Sequence, residues 1–152
     1  VAPPARNLAE VLQRLVEDEF ADEFNEVRWT VDEHLPALDA VTQEVVTNAA
    51  REVIRNAAVH GRGDQPDRSL NLSVTVGSDP SISIVIADDG VGMNTLSRTP
   101  AHQSPGSGNG LALHTTMLAI VGGLLVSEPA SSGTVVRISL PLVREAPQRV
   151  LS

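Results

Sequence analysis

The sequence predicts a two-layer α/β sandwich, with a mixed, mostly antiparallel sheet and helices on one of its faces. Segment 70–86 contains paired runs of alternating apolar residues, which is the period of strands with one buried face, and segment 124–140 contains two further strand-like runs joined by a turn through Pro129 and Gly133. Three other segments carry apolar residues at intervals of three and four, as amphipathic helices do. Because helices and mostly antiparallel strands are segregated, the layered α/β class is favoured over a bundle or a barrel.

Length and composition limit the functions that this chain can have. The 152 residues suit one domain with a real core, and the formal net charge of −8 disfavours nucleic acid or an anionic membrane surface as a partner. A single nucleotide can still bind, because backbone amides and a metal ion neutralise it locally. The absence of cysteine excludes disulfides, thiolate catalysis and cysteine-ligated zinc.

No apolar run approaches the ~20 residues that a membrane span needs. We therefore expect a cytoplasmic domain without membrane contact of its own, although the full-length protein can carry an anchor elsewhere. The predicted organisation is a linker or tail at 1–7, one domain at 8–142 and a C-terminal tail at 143–152.

The first predicted elements are a helix, a strand and a second helix. Asn7 can cap a helix over 8–16, which the acidic run 17–26 closes. Residues 27–31 alternate as a short half-buried strand, and 34–40 form a connection. The second helix begins at about Asp39 and ends near Gly61, where glycine tolerates a left-handed terminal conformation.

This second helix carries the sharpest chemical feature of the sequence. Residues four apart are rotated by only about 40°, so four polar side chains form one stripe. Apolar residues on the other side predict packing on the sheet. The stripe places a potential general base one turn before an oxygen ligand for a hard cation. Its members are Asn48, Glu52, Asn56 and His60.

The remaining elements follow in order. Residues 70–76 and 82–86 predict an antiparallel hairpin with one face on the core. The stretch 92–108 is rich in Ser, Thr, Pro and Gly, which predicts an unstructured lid, mobile over 93–107 without nucleotide. A third helix is expected to begin at Leu111 and to end at Gly122 and Gly123, before strands at 124–126 and 134–140.

Two glycine motifs flank the predicted lid. Asp88, Gly90 and Gly92 follow a strand, where a carboxylate can accept a hydrogen bond from an exocyclic amine and glycine lets backbone lie against a flat ring. An acidic hairpin turn explains this motif equally well.

The second motif precedes the helix predicted at Leu111. Glycines there would free amides for anionic oxygens at a helix N-terminus, but a flexible linker is the simpler reading. Thr134, at the start of the last strand, could hold a water or a ring nitrogen, or be an ordinary turn residue. The glycines of the second motif are Gly106, Gly108 and Gly110.

Together, the order of these motifs resembles the ATP-binding domain of sensor histidine kinases, within the superfamily of gyrase, Hsp90, histidine kinases and MutL. The resemblance covers roughly 8–142 and implies a Bergerat-type ATP-binding fold. The segment from Arg51 to His60 is similar to the asparagine-containing helix of kinases that pair with LuxR-type regulators, and GTVVRISLPL is similar to the usual ending of the domain.

The resemblance implies ATP and Mg²⁺ as cofactors and assigns a role to each motif. Asn56 would bind Mg²⁺, Glu52 would be the catalytic base or polarising carboxylate, and Asp88 would take the adenine amine. Thr134 would support Asp88 through a water, and His60 would either contact phosphate or be a structural residue. The adenine pocket would be floored by Gly90 and Gly92, and the phosphates would be bound by the segment that contains Gly106, Gly108, Gly110 and Leu111.

Three functions follow from the resemblance. The first is the catalytic domain of a two-component histidine kinase, which donates the γ-phosphoryl group of ATP to a histidine on a separate dimerisation segment and so serves a response regulator. The second is a serine kinase of the anti-sigma-factor type. The third is a degenerate nucleotide-binding module, favoured by Val59, which stands where a basic residue is common; Arg55 or Arg62 would have to supply that charge.

Overall fold

The structure is a computed structural model that describes residues 7–33, 35–78, 81–91, 105–128 and 133–140, and for 105–111 it describes the backbone alone. Within these ranges the chain forms three helices and five strands. In chain order they are α1 (Leu8–Glu19), β1 (Glu26–Val31), α2 (Ala40–His60), β2 (Asn71–Gly77), β3 (Ile82–Asp88), α3 (Pro105–Ile120), β4 (Leu124–Glu128) and β5 (Thr134–Leu140).

The five strands form one sheet in the order β1-β2-β3-β5-β4. β1 pairs with β2 in parallel, and the other three neighbouring pairs are antiparallel. Both predicted hairpins are confirmed, and so is the mixed, mostly antiparallel α/β fold. Because parallel strands need a crossover connection, α2 lies between β1 and β2 in the chain.

The core lies between the helices and one face of the sheet. On β2 and β3 every second residue is buried, so the alternation in sequence becomes one packed face. The apolar side of α2 is buried as well, whereas the four stripe residues are half-buried. Residues with at most 2% exposure in this core include Leu12, Val46, Ile54, Leu72, Val74, Ile84, Ile86 and Ile138.

The predicted helix starts are confirmed by their caps. The side chain of Asn7 accepts the backbone N–H of Glu10 at 2.9 Å, and Asp39 accepts the backbone N–H of Thr42 at 2.8 Å. Each cap satisfies an amide that the first turn of a helix leaves without an intrahelical partner. The long helix α2 is therefore fixed at its beginning by a local signal.

The predicted reason for the end of α2 is wrong. Gly61 closes the helix with a right-handed φ of −62°, and the left-handed glycine is Gly63, with φ +59°. Gly61 is required by space, since an added Cβ would lie 2.6 Å from a methyl carbon of Leu70. The helix end is thus packed directly onto the residue before β2.

The predicted start of the third helix is also wrong. α3 begins at Pro105, so Gly106, Gly108 and Gly110 lie inside the helix and do not precede it. Proline suits this first position because its missing N–H would have had no partner there. The lid prediction fails at 105–108, and its remaining part, 92–104, lies outside the described residues.

Among the described residues, no helix combines the length and hydropathy that crossing a bilayer requires.

Candidate functional site

The end of α2 meets the segment that follows β3. The backbone N–H of Val91 donates to the carbonyl oxygen of Gly61 at 2.8 Å. An added Cβ on Gly90 would lie 2.6 Å from the Cα of Gly61. The end of α2 and the motif after β3, which are far apart in sequence, are therefore in direct backbone contact. This contact explains why position 90 is glycine, and it differs from the predicted contact with a flat ring.

Asp88 is the last residue of β3 and is half-buried at this junction. Its Oδ1 accepts the backbone N–H of Gly90 at 2.8 Å. Burial raises the pKa of the Asp88 carboxyl above its ordinary value, and the nearby Asp89 raises it further, whereas the N–H groups of Gly90 and Thr134 and the guanidinium of Arg68 lower it. The Asp88 carboxylate is thus partly desolvated, and its Oδ1 already accepts a hydrogen bond.

Thr134 lies beside Asp88, as the sequence predicts. The two residues are partners in the register of β3 and β5. The preceding Gly133 has φ +79°, and an added Cβ there would lie 2.7 Å from the carbonyl carbon of Asp88. Only glycine fits that turn, because side chains rarely adopt the left-handed region and the space is filled by backbone.

The polar stripe on α2 has two parts. At its beginning, Asn48 accepts a hydrogen bond from Arg51 at 2.6 Å, and Arg51 donates to Glu19 on α1 at 3.1 Å. This part connects two helices. Toward the end of α2, Asn56 and His60 make no side-chain hydrogen bond with the part of the chain that the structure describes, and both are half-buried.

Glu52 lies between these two parts. Its side chain is 13% exposed, and its ion pair in the described residues is with Arg55, at 4.0 Å. Such a long contact to a half-exposed arginine contributes little. The stripe therefore presents one carboxylate and one carboxamide one turn apart, which is the arrangement predicted from the sequence.

Arg62 is not available for the phosphate charge suggested for it. Its guanidinium donates to the carbonyl oxygens of Arg68 and Glu23, each at 2.8 Å, and to the side chain of Asn25 at 3.1 Å. These three contacts tie the loop after α2 to the segment before β1. Of the two arginines considered, Arg55 alone has its side chain turned mainly to solvent.

The glycine-rich segments are placed only in part. Gly92 lies outside the described residues. Gly106, Gly108 and Gly110 are known by their backbone in α3, as is Leu111. Because the N–H groups of the N-cap and of the first three helical residues lack intrahelical partners, Gly106 falls within the amide-presenting turn, and Gly108 and Gly110 fall beyond it.

Comparison with known proteins decides the family. A scan against protein-family models matches residues 5–140 with the family described as histidine kinase-like ATPase domain. The chain belongs to this family. The family resemblance drawn from the order of motifs is therefore confirmed. No curated protein matches significantly.

Solved structures give the same fold for this ATPase domain. The histidine kinase domain of the blue-light activated histidine kinase from Erythrobacter litoralis EL346 superposes with a TM-score of 0.69 at 18% identity, over 93% of this chain and 65% of that one. The mycobacterial sensor histidine kinase MprB gives 0.66 at 26% identity, over 90% and 95%. The ATPase domain spans 40% of a longer structure of the Erythrobacter kinase.

Proposed function

We propose that the domain binds Mg²⁺-ATP and donates its γ-phosphoryl group to a histidine on a helical dimerisation segment outside this chain, for onward transfer to a response regulator. The observation that carries the proposal is the hydrogen bond from Val91 to Gly61, because it joins the polar end of α2 to the strand end that bears Asp88. Family membership and the likeness to histidine kinase structures support the same reading.

Asp88 is the proposed adenine-binding residue. The carboxylate accepts backbone N–H groups of Gly90 and Thr134, and because two carboxylate oxygens offer about four acceptor sites, capacity remains for an exocyclic amine. Partial burial strengthens a hydrogen bond to the carboxylate, because water competes less for it. Thr134, its register partner on β5, is close enough to support a bridging water.

Asn56 and Glu52 are the proposed phosphate-end residues. At 1.5 Å per helical residue they lie about 7.5 and 13.5 Å along the axis from Gly61, so a nucleotide with its base at Asp88 can extend its phosphates along α2. Glu52 would polarise the attacking nucleophile near the γ-phosphate, because phosphoryl transfer depends on positioning more than on covalent chemistry by the protein.

The donor set fits a magnesium ion held mainly by the nucleotide. Among the described residues, no three His, Asp or Glu side chains converge on a possible metal site. Mg²⁺ keeps several waters and usually takes one or two protein ligands plus phosphate oxygens. The carboxamide of Asn56, which makes no side-chain hydrogen bond within the described ranges, is therefore sufficient as its protein ligand. When bound, the ion would neutralise phosphate charge.

The phosphoacceptor segment would dock on α3. This helix contains no Asp, Glu, Lys or Arg, although the whole chain carries a net charge of −8. Leu113, Met117 and Ile120 recur along one side of it with exposures of 57%, 40% and 75%. An uncharged apolar stripe at helical spacing suits the apolar face of another helix.

The serine-kinase alternative shares the fold and the family, and the segment Asn56 to Gly61 suits it as well. The two kinases differ in product chemistry: phosphohistidine is lost in acid and survives alkali, whereas phosphoserine behaves oppositely. Incubation of the full-length protein with labelled ATP, followed by acid and alkali treatment, assigns the acceptor. Acid-stable label would replace the histidine-kinase proposal with the serine-kinase one.

Nucleotide binding is tested by calorimetry with Mg²⁺-ATP. We expect binding by the wild type, loss of magnesium-dependent affinity in Asn56→Ala, and no change in Gln65→Ala, which removes an exposed carboxamide from the loop after α2. Glu52→Gln should bind ATP and fail to transfer phosphate. Absence of heat with the wild type would reject nucleotide binding and favour a module that acts through protein contacts alone.

A further inference from the structure

Every polar group of Asp89, the residue after the proposed adenine-binding Asp88, makes a hydrogen bond. Its Oδ1 accepts the backbone N–H of Asn71 at 2.8 Å, and its Oδ2 accepts the Asn71 side-chain amide at 2.8 Å. Its own N–H donates to the Asn71 carbonyl at 3.3 Å, and its carbonyl accepts from Arg68 at 3.1 Å. Asp89 is exposed, so these contacts and not burial fix it.

These bonds continue the pairing of β2 and β3 beyond the last regular pair. Leu72 and Asp88 are that pair, and Asn71 and Asp89 are the next residues outward. There the carboxylate of Asp89 adds two hydrogen bonds, one from the backbone N–H and one from the side-chain amide of Asn71, at the point where β3 ends. One residue later the chain must turn so that Gly90 reaches Asp88 and Val91 reaches Gly61.

We infer that Asn71 and Asp89 form a clamp that positions Asp88 for recognition of adenine. The inference rests on the proposed ATP-binding function and gives both residues a positioning role, without contact to the nucleotide. The clamp holds the backbone between Asp88 and Gly90, and through it the direction in which the carboxylate of Asp88 points. A hydrogen-bonded carboxylate selects a ligand only when its direction is fixed.

Selectivity between purines is the property that such positioning controls. Adenine presents an amine donor at the position where guanine presents a carbonyl oxygen, which a carboxylate repels. A well-placed Asp88 therefore favours ATP over GTP. If Asp88 can turn away, affinity for ATP falls and the penalty against GTP is relieved, so the ratio of the two affinities reports on the clamp.

The test exchanges the two side chains of the clamp. In Asn71→Asp, the new carboxylate faces Oδ2 of Asp89, so two acceptors meet, and rotation of neither side chain supplies a donor. In the double variant Asn71→Asp with Asp89→Asn, the carboxamide at position 89 donates to that carboxylate and accepts the backbone N–H of position 71, so the contact is restored. The two variants thus differ in hydrogen bonding while the side chains keep almost the same volume.

We expect Asn71→Asp to reduce the ATP-to-GTP affinity ratio about tenfold, equivalent to about 1.4 kcal/mol. The double variant should recover the ratio to within about threefold of the wild type, as coupled neighbours do. Gln65→Glu is the control, because it also places a carboxylate at an exposed carboxamide, in the loop after α2. It should leave the ratio unchanged.

Calorimetric titrations with Mg²⁺-ATP and Mg²⁺-GTP are combined with thermal unfolding of each variant. A purely structural clamp would lower the melting temperature of Asn71→Asp and leave the ratio intact, which would overturn the inference alone. If Asn71→Asp does not fold, a folded double variant with wild-type selectivity supports the clamp, and a folded double variant without it overturns the clamp. A wild type that binds neither nucleotide overturns both the clamp and the ATP-binding function.

Discussion

The N–H of Val91 donates to the carbonyl of Gly61 at 2.8 Å, and no side chain separates the two backbones at this point. Gly61 ends the helix that carries Glu52 and Asn56, and Val91 lies three residues after Asp88. The distance between the proposed phosphate end and the proposed adenine end is therefore set by backbone contact. A substitution that separates these backbones should affect stability and nucleotide binding together.

Gly90→Ala is the substitution that we expect to separate the two backbones. The new methyl group would overlap the Gly61 backbone, so we expect a loss of about 1–3 kcal/mol in the free energy of unfolding and weaker ATP binding. Gly77→Ala is the matched control, because a Cβ there meets nothing within 4 Å. Chemical denaturation and calorimetry measure the two effects, and equal behaviour of the two variants would contradict this account of the junction.

Asp88→Asn should stabilise the empty domain at neutral pH. Burial raises the pKa of Asp88 in the folded state, so this carboxyl destabilises the fold while it is ionised, and the penalty disappears as pH falls through the raised pKa. The variant has no such penalty and should melt above the wild type at pH 7, with a difference that shrinks in acid. Thermal unfolding across pH checks the sign.

The same titration should affect ATP binding. Protonation of Asp88 removes a charged acceptor, so wild-type affinity for ATP should fall as pH drops through the raised pKa of this group. Asp88→Asn should bind more weakly and with less dependence on pH in that range. Unchanged ATP affinity and selectivity in the variant would remove Asp88 from the adenine site.

Arg62→Ala should cost stability. The arginine donates to two carbonyl oxygens and one side-chain oxygen in two separate segments, and its loss removes all three hydrogen bonds, although Oδ1 of Asn25 keeps the backbone N–H of Leu70. We expect about 1.5–3 kcal/mol by chemical denaturation. Arg55→Ala should leave stability nearly unchanged, because its side chain is 53% exposed. If Arg55 supplies the phosphate charge that Val59 lacks, its variant instead loses ATP affinity.

Replacing Met117 and Ile120 together by serine should separate partner docking from nucleotide binding. Both side chains are exposed on α3, so the domain should stay folded and keep its ATP affinity, while phosphoryl transfer within the full-length protein falls. Val41→Ser removes an equally exposed apolar side chain at the start of α2 and serves as the control. Normal phosphoryl transfer by the double variant would mean that the docking surface lies elsewhere.

The sequence predicted those features that depend on local rules. Asn7 was predicted as a cap and α2 was predicted to begin at about Asp39, and each of these side chains accepts an amide three residues later. The first hairpin followed from alternation, the second from two apolar runs joined by a turn, and the stripe on α2 from the helical period. Asp88 and Thr134 were each proposed for one site, and strand register then placed them side by side.

Features that depend on tertiary contact could not be predicted in this way. Glycine at 90 is explained by its approach to the backbone of Gly61, glycine at 61 by its approach to Ala57 and Leu70, and the role of Arg62 by acceptors that include Glu23, far from it in sequence. The clamp of Asn71 and Asp89 has no sequence pattern of its own. The start of α3 was missed because glycines predict a break, whereas the packing of this helix against α2, which overrides that propensity, is not visible in the sequence.

The parallel pairing of β1 with β2 has a consequence for synthesis and folding. The hairpins join neighbouring segments, whereas Glu26 of β1 must find Asn71 of β2 after the whole of α2 has been made. On the ribosome, β1 therefore emerges long before its partner strand exists, with Val27, Trp29 and Val31 uncovered. The helix with the proposed phosphate residues must be in place before this edge can close, so chaperone dependence and aggregation of nascent chains should be concentrated at the first strand.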